Sequence, residues 1–129
     1  VCNSKIFYGY LDDIHRGVIN KDKVDDLRVL LETYRANRFF NKKLQGSFDA
    51  LIPELKDLVD FMGSEFSVDD YDNSLLRIHK YRGTSEGHVK YENNRRRLEK
   101  LLDHLDISAR NLEEVLIKRF PELAMEKLG

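Results

Sequence analysis

Residues 78–88 of the 129-residue chain, IHKYRGTSEGH, contain several side chains that can bind or react with a phosphate group. His79 is followed three positions later by Arg82, and His88 closes the segment. A neutral imidazole nitrogen can attack a phosphoryl group, and a nearby guanidinium can stabilise the negative charge. The same run of small polar residues and glycines is also typical of a loop between two helices. The segment therefore predicts either a phosphate-handling site or a helix end followed by a loop.

Around His79, residues 70–99 resemble a histidine phosphotransfer domain. In that family a helix-borne histidine is followed by an apolar residue, a cation and a glycine, which correspond here to His79, Tyr81, Arg82 and Gly83. The resemblance implies a helical bundle in which His79 accepts the phosphoryl group and Arg82 stabilises the product. It also requires one helix to continue past Gly83, whereas the loop alternative ends that helix near Tyr81.

Arg82 and His88 support a second interpretation of the same segment. Their spacing is similar to that of the arginine and histidine in HEPN ribonucleases, which are small helical proteins. The resemblance implies that the two side chains meet where two subunits join and act there on a scissile phosphate. It is carried by these two residues alone.

Residues 98–120, LEKLLDHLDISARNLEEVLIKRF, resemble a helix-turn-helix. Ser108 is of a type that caps a helix, here the recognition helix. Upstream basic residues can contact phosphates, and a polar pair early in the recognition helix can contact base edges. The DNA contacts implied by this resemblance are Arg95, Arg96, Arg97, Arg110 and Asn111.

Aromatic residues are more numerous than one narrow buried stripe requires. Exposed aromatic side chains are frequent anchors of protein–protein interfaces. The interface candidates are Phe7, Tyr8, Tyr10, Phe39 and Phe40.

The overall composition argues against several classes of function. The 22 basic and 23 acidic side chains nearly cancel, whereas a non-specific binder of nucleic acid or anionic membranes carries a basic excess. Cys2 is the single cysteine and the four histidines are scattered, so we expect no metal site and no cofactor. No apolar run is long enough to span a membrane and no signal peptide is visible, so a cytoplasmic location is expected.

The spacing of apolar residues predicts an all-α fold, a single compact bundle of five to six helices over residues 1–129. The first helix covers about residues 4–16 and ends near Gly17. Asn20 or Asp22 caps the second helix, and a break is expected around Gly46.

The second half of the chain supplies the remaining helices of this prediction. Pro53 is placed in the first turn of a helix over about residues 53–62 that Gly63 ends. A fourth helix is capped by Ser67, and its buried face is Val68, Tyr71, Leu75 and Ile78. A fifth helix covers about residues 86–104, Ser108 caps a sixth, and Pro121 begins a final short turn.

The sequence as a whole favours a non-catalytic α-helical binding or regulatory module that works through protein–protein contacts. Its partner is expected to be another protein or a second copy of the chain. A DNA-binding regulator using residues 98–120 is the first alternative, and a phosphotransfer protein using His79 is the second.

Overall fold

The structure is a computed structural model, and it describes residues 4–36, 42–81 and 83–119. The elements in chain order are α1 (Ser4–His15), β1 (Val18–Asn20), α2 (Lys21–Ala36), α3 (Lys42–Glu65), β2 (Phe66–Val68), β3 (Leu75–Ile78) and α4 (Ser85–Arg119). Helices account for 79% of the described residues, so the mainly helical character is confirmed. The predicted all-α bundle of five to six helices is wrong, because the described residues form four helices and a three-stranded sheet.

Helix α1 and the start of α2 lie where the sequence predicts them. α1 ends two residues before Gly17, whose φ of 84° is accessible to glycine at little cost. A Cβ atom at this position would lie 2.9 Å from Cγ2 of Ile78, so Gly17 also permits the close approach of β3. The Asn20 side chain caps α2 by accepting a hydrogen bond of 2.8 Å from the backbone N–H of Asp22.

α3 is one helix, whereas a break near Gly46 and a start at Pro53 were predicted. Its buried residues recur at helical spacing on both sides of the proline: Leu44, Phe48, Leu51, Leu55, Leu58, Val59, Phe61 and Met62. Pro53 is exposed and removes one backbone hydrogen bond from the helix. The continuous buried face offsets that loss. Gly63 does not end the helix, which continues to Glu65.

The predicted fourth helix is wrong, because residues 66–68 and 75–78 form the antiparallel strands β2 and β3, joined by a turn. The Asp69 carboxylate accepts the backbone N–H groups of Tyr71 and Asp72, each at 3.1 Å, and so turns the chain between the strands. β3 is the central strand, in the order β1-β3-β2. Its pairing with β1 joins residues far apart in sequence, such as Ile19 and Leu76. The apolar periodicity of a single segment cannot predict such a long-range pairing.

The predicted fifth and sixth helices form one helix, α4, so the predicted turn of a helix-turn-helix is absent from residues 98–119. Ser108 is buried within the helix rather than capping it. Arg110 donates to the Asp106 carboxylate at 3.0 Å, an i,i+4 pair that spans the predicted turn. The buried face continues at helical spacing through Leu98, Leu102, Leu105, Ala109, Leu112 and Val115. Pro121 lies outside the described residues.

The buried side chains form one hydrophobic cluster, in which α3 packs mainly against α4. The inner face of the sheet closes this cluster with Ile19, Phe66 and Ile78. Because side chains alternate along a strand, the neighbouring residues Ser67 and Arg77 lie on the outer face. None of the described helices combines the length and the apolar character that crossing a membrane requires.

Candidate functional site

Strands β2 and β3 and the segments that follow them line a groove with a volume of about 450 Å³. We call it the sheet groove. Its lining consists of Ser67, Val68, Asp69, Asp70, Tyr71, Arg77, Ile78, His79, Lys80 and Tyr81. Strands β2 and β3 supply the floor, and the segments that follow each strand supply the two ends. The groove therefore combines exposed apolar, aromatic and charged side chains on one rigid sheet.

An ion pair joins the turn after β2 to strand β3 in the sheet groove. Arg77 Nε donates to Asp69 Oδ1 at 2.7 Å, and the Asp69 side chain is 9% exposed. This hydrogen bond, together with the backbone N–H of Tyr71, holds the pKa of the Asp69 carboxyl below its usual range. The Arg77 side chain stays 42% exposed, and its guanidinium has five N–H donors. Asp69 thus orients Arg77, which keeps donors for a ligand.

Tyr81 forms the corner at the basic end of the groove. Its hydroxyl donates to Glu65 Oε2 at 3.0 Å, and the same oxygen accepts Asn94 Nδ2 at 2.8 Å. The rings of Tyr81 and His79 meet edge to face at 4.3 Å, and Lys90 Nζ lies 4.3 Å from the Tyr81 ring centroid. Tyr81 has a φ of 46°, which is uncommon for a residue with a side chain. These contacts hold the corner against α3 and α4.

The turn after Tyr81 leads directly into α4. Thr84 Oγ1 accepts the backbone N–H of Gly87 at 2.9 Å and thereby caps the helix. A Cβ atom at residue 87 would overlap the backbone carbonyl oxygen of Tyr81. Gly87 is therefore required for the close contact between this turn and the first turn of α4.

The two ends of the sheet groove carry opposite charges. Asp69 and Asp70 lie at the end formed by the turn after β2, whereas His79 and Lys80 follow β3 at the other end. At the acidic end the Tyr71 side chain is 96% exposed. Val68 is 46% exposed on the edge strand. One end of the groove is therefore acidic and the other is basic, and exposed apolar side chains lie along its rim.

A second groove of about 410 Å³ lies between α1 and α4 and includes Tyr8, Asp12, Asp103 and Asp106 in its lining. Burial raises the pKa of the Tyr8 hydroxyl to about 12, and the negative charge of Glu113 adds to the rise. The Arg110 guanidinium lies 5.2 Å from the Tyr8 ring centroid and pairs with Asp106. Most of the charged groups in this groove are acidic, which does not suit a phosphate ligand.

The residues predicted for phosphate chemistry do not share a helix. His79 is exposed, but it directly follows β3 and not a helix that continues past Gly83. Gly83 has a φ of 99° in the turn before α4. Arg82 lies outside the described residues, and His88 is exposed in the first turns of α4. The helical geometry that the phosphotransfer resemblance requires is therefore absent from the described residues around His79.

Most of the side chains predicted to contact DNA interact with other groups of the protein itself. Arg95 donates to the His15 backbone carbonyl at 2.8 Å, and the Arg97 guanidinium lies 5.2 Å from a core phenylalanine ring. Arg110 pairs with an aspartate, as described above. Arg96 and Asn111 are exposed on α4. They are separated by fifteen residues of one helix, about 22 Å along its axis.

The predicted interface aromatics are only partly at the surface. Phe7 is 6% exposed and belongs to the hydrophobic core. Tyr8 and Tyr10 are half-buried, and Tyr10 donates its hydroxyl to Asp26 at 2.9 Å. Phe39 and Phe40 lie outside the described residues.

The most exposed aromatic residue identified by the structure, Tyr71, was assigned to a buried helix face by the sequence. The same prediction placed Val68 on that buried face. The apolar residues between Val68 and Ile78 are spaced as in a helix, although this tract is not helical. The Asp69 side chain instead accepts the Tyr71 N–H and forms a turn. Strands β2 and β3 are too short to show a recognisable alternation of apolar and polar residues in the sequence.

Within the described residues, no group of three or more histidine, cysteine, aspartate or glutamate side chains is arranged to hold a metal ion. Comparison of the chain with protein-family models, curated proteins and solved structures finds no match.

Proposed function

We propose that this protein is a non-catalytic binding module that holds a segment of a protein in the sheet groove. The observation that carries the proposal is the exposure of Tyr71 and Val68 beside a groove that also presents Arg77. Aromatic anchors next to oriented polar groups are typical of protein recognition sites. The groove lies on a sheet packed against the core, so the contact surface is preorganised.

The charges of the sheet groove support a protein ligand over a nucleic acid. A surface that tracks a phosphate backbone presents cations along its whole length. Here Asp70 occupies one end, where it would repel phosphates, and Asp69 offsets the positive charge of Arg77. A polypeptide can match both ends, because it carries side chains of both signs. Residues 98–119 belong to one helix, so they lack the turn that duplex binding through a helix-turn-helix requires.

The proposal includes a cytoplasmic location. It is supported by the single cysteine, Cys2, which cannot form a disulfide within the chain.

Selection from a library of random peptides tests the proposal. Peptides of about seven residues, long enough to cross the groove, are selected on the immobilised full chain and then compared on the double variant Val68→Ser/Tyr71→Ser. Both side chains are exposed, so the variant is expected to fold normally. We expect the selected peptides to bind the variant at least about tenfold more weakly, because both exposed apolar contacts of the groove are removed.

Val29→Ser is the matched control, since Val29 is 65% exposed on α2 and lies outside the groove. It should bind the peptides as the wild type does. Amide chemical shifts in the wild-type chain should change at residues 66–71 and 77–81 when a peptide is added. Peptides that bind both the double variant and the wild type equally, or that shift other residues only, would contradict the assignment of the groove.

A further inference from the structure

Four exposed basic side chains lie around Tyr81, and we call them the basic corner: His79, Lys80, His88 and Lys90. The His79 ring contacts the Tyr81 ring edge to face, and Lys90 Nζ lies 4.3 Å from the centroid of the Tyr81 ring. Lys80 and His88 line a pocket of about 330 Å³ together with Tyr81. The segment after β3 and the first turns of α4 thus bring these basic groups to one place on the surface.

The pocket at the basic corner adjoins the sheet groove. Lys80 and Tyr81 line both cavities, so the two cavities meet at these residues. The rest of the pocket lining consists of Gly83, Thr84, His88 and Tyr91. None of the described residues that line this pocket is acidic. A segment bound in the sheet groove can therefore place an anionic group at this end.

The two lysines of the basic corner form no salt bridge within the described part of the chain. Arg77, the other cation of the sheet groove, already pairs with a carboxylate of the turn after β2. Glu65 contacts the corner through the Tyr81 hydroxyl rather than through an ammonium group. An anion bound at the corner therefore meets lysines that no carboxylate of the described residues contacts.

The donors of the basic corner suit a phosphate monoester better than a single carboxylate. Each ammonium group has three N–H donors, and each imidazole ring has at least one. A phosphorylated side chain carries between about 1.5 and 2 negative charges at pH 7 and three acceptor oxygens. A carboxylate carries one charge and two oxygens. Two lysines therefore match the charge of one phosphate group.

The charge of the far end favours a peptide with one phosphate over a nucleic acid. The sheet groove leads from the basic corner to Asp70. A nucleic acid carries a phosphate at every residue, so its next phosphates would approach this carboxylate. A phosphorylated peptide can carry a basic or apolar residue there instead.

The sheet sets the distance between the basic corner and the apolar rim. The His79 N–H donates to the Glu65 carbonyl, and Val68 follows Glu65 by three residues along the chain into β2. Three residue steps of a strand span about 10 Å. An extended peptide with its phosphate at the corner therefore places a residue about three to five positions away beside Val68 and Tyr71.

We propose that the segment bound in the sheet groove carries a phosphorylated residue, whose phosphate lies in the basic corner while an apolar residue about three to five positions away contacts Val68 and Tyr71. This inference rests on the proposed function and names the chemical class of its ligand.

Peptide libraries with a fixed central residue test the inference on the immobilised full chain. The central residue is phosphoserine, phosphotyrosine, glutamate or serine, with about five varied residues on each side. We expect a phosphorylated library to be retained best and to be enriched in apolar residues about three to five positions from its centre. A peptide selected from it should bind at least about tenfold more tightly than the same peptide without the phosphate, and a glutamate in its place should restore only part of the affinity.

The lysines are tested with the double variant Lys80→Gln/Lys90→Gln. Both side chains are exposed, so the variant is expected to fold, which circular dichroism checks. The selected phosphopeptide should bind it at least about tenfold more weakly, whereas the peptide without the phosphate should lose much less affinity. Lys100→Gln is the control, because Lys100 is exposed on α4 and lines neither cavity; it should bind both peptides as the wild type does.

A folded double variant that weakens both peptides equally overturns the inference. So does a single-stranded RNA of about eight nucleotides, or inorganic phosphate alone, that binds as tightly as the phosphopeptide, because the apolar contacts of the groove would then contribute nothing. If unphosphorylated peptides bind through Val68 and Tyr71 and a phosphate adds no affinity, the proposed function stands and only this inference is wrong. If no peptide of any library binds, both proposals are wrong.

Discussion

At the level of single residues, Gly87 and Tyr81 depend on each other. Gly87 leaves room for the Tyr81 carbonyl at the start of α4, and Tyr81 adopts its uncommon φ in the turn just before. The Tyr81 hydroxyl and ring then contact Glu65, His79 and Lys90. Several contacts around one backbone position keep the basic end of the sheet groove in place.

Gly87→Ala is expected to destabilise the protein by about 1–3 kcal/mol, because the new methyl group overlaps the Tyr81 carbonyl and the turn must move. The higher helix propensity of alanine offsets only part of this loss. Urea denaturation measures the change. Gly63→Ala is the control: nothing lies within 4 Å of its added Cβ, so it should gain up to about 1 kcal/mol. Equal effects at the two glycines would show that the turn is not tightly packed.

At the level of elements, α3 and α4 are longer than their local sequence signals indicate. Pro53 in α3, and Asp106 with Ser108 in α4, are residue types that commonly mark helix starts or caps. In both helices a buried apolar face continues across these positions. At these positions the packing of α3 against α4 stabilises the helix. This gain is larger than the loss from one missing or altered hydrogen bond.

Pro53→Ala tests the continuity of α3. Alanine restores the N–H that can donate to the carbonyl of residue 49, and residue 53 is exposed, so no core contact changes. We expect the variant to be more stable by about 1–2 kcal/mol, after allowing for the greater flexibility of its unfolded chain. Thermal denaturation followed by circular dichroism gives the result. A loss of stability would mean that a bend at Pro53 is needed for packing against α4.

At the level of the whole molecule, the sheet connects parts of the chain that are distant in sequence. β1 follows α1, whereas β2 and β3 lie between α3 and α4. The Arg77–Asp69 ion pair stabilises the hairpin of β2 and β3, and the backbone of Gly17 joins β3 to the end of α1. The folded shape of the groove therefore depends on contacts across most of the described chain.

The depressed pKa of Asp69 makes this stability dependent on pH. Because the folded protein binds this proton less readily than the unfolded chain, the contribution is complete above the ordinary carboxyl pKa of about 4 and is lost as the pH falls below it. Asp69→Asn should be less stable than the wild type at pH 7, and should lose less stability between about pH 5 and about pH 3. Urea denaturation at several pH values measures both effects.

Asp70→Asn is the control for this titration, because Asp70 lies in the same turn and is exposed. It should reproduce the acid sensitivity of the wild type. An Asp69→Asn variant as acid-sensitive as the wild type would show that the Arg77 contact contributes nothing to the pH dependence.

The sequence by itself determined the features that depend on near neighbours along the chain. These include the mainly helical character, the end of α1 before Gly17 and the start of α2 at residues 20–22, where the structure shows Asn20 as the cap. Each follows from a local preference: periodic burial, a positive φ or a side chain that accepts a nearby N–H.

Only the tertiary structure decided the sheet, the helix count and the candidate site. β3 is a strand because β1 and β2 pair with its two sides, and β1 comes from more than fifty residues earlier in the chain. The sheet groove joins residues 67–71 and 77–81, and the sequence had placed its exposed residues Val68 and Tyr71 on a buried helix face. Hydrogen bonding and burial between distant segments outweighed the helical spacing of that tract, and such contacts cannot be found from the periodicity of one segment.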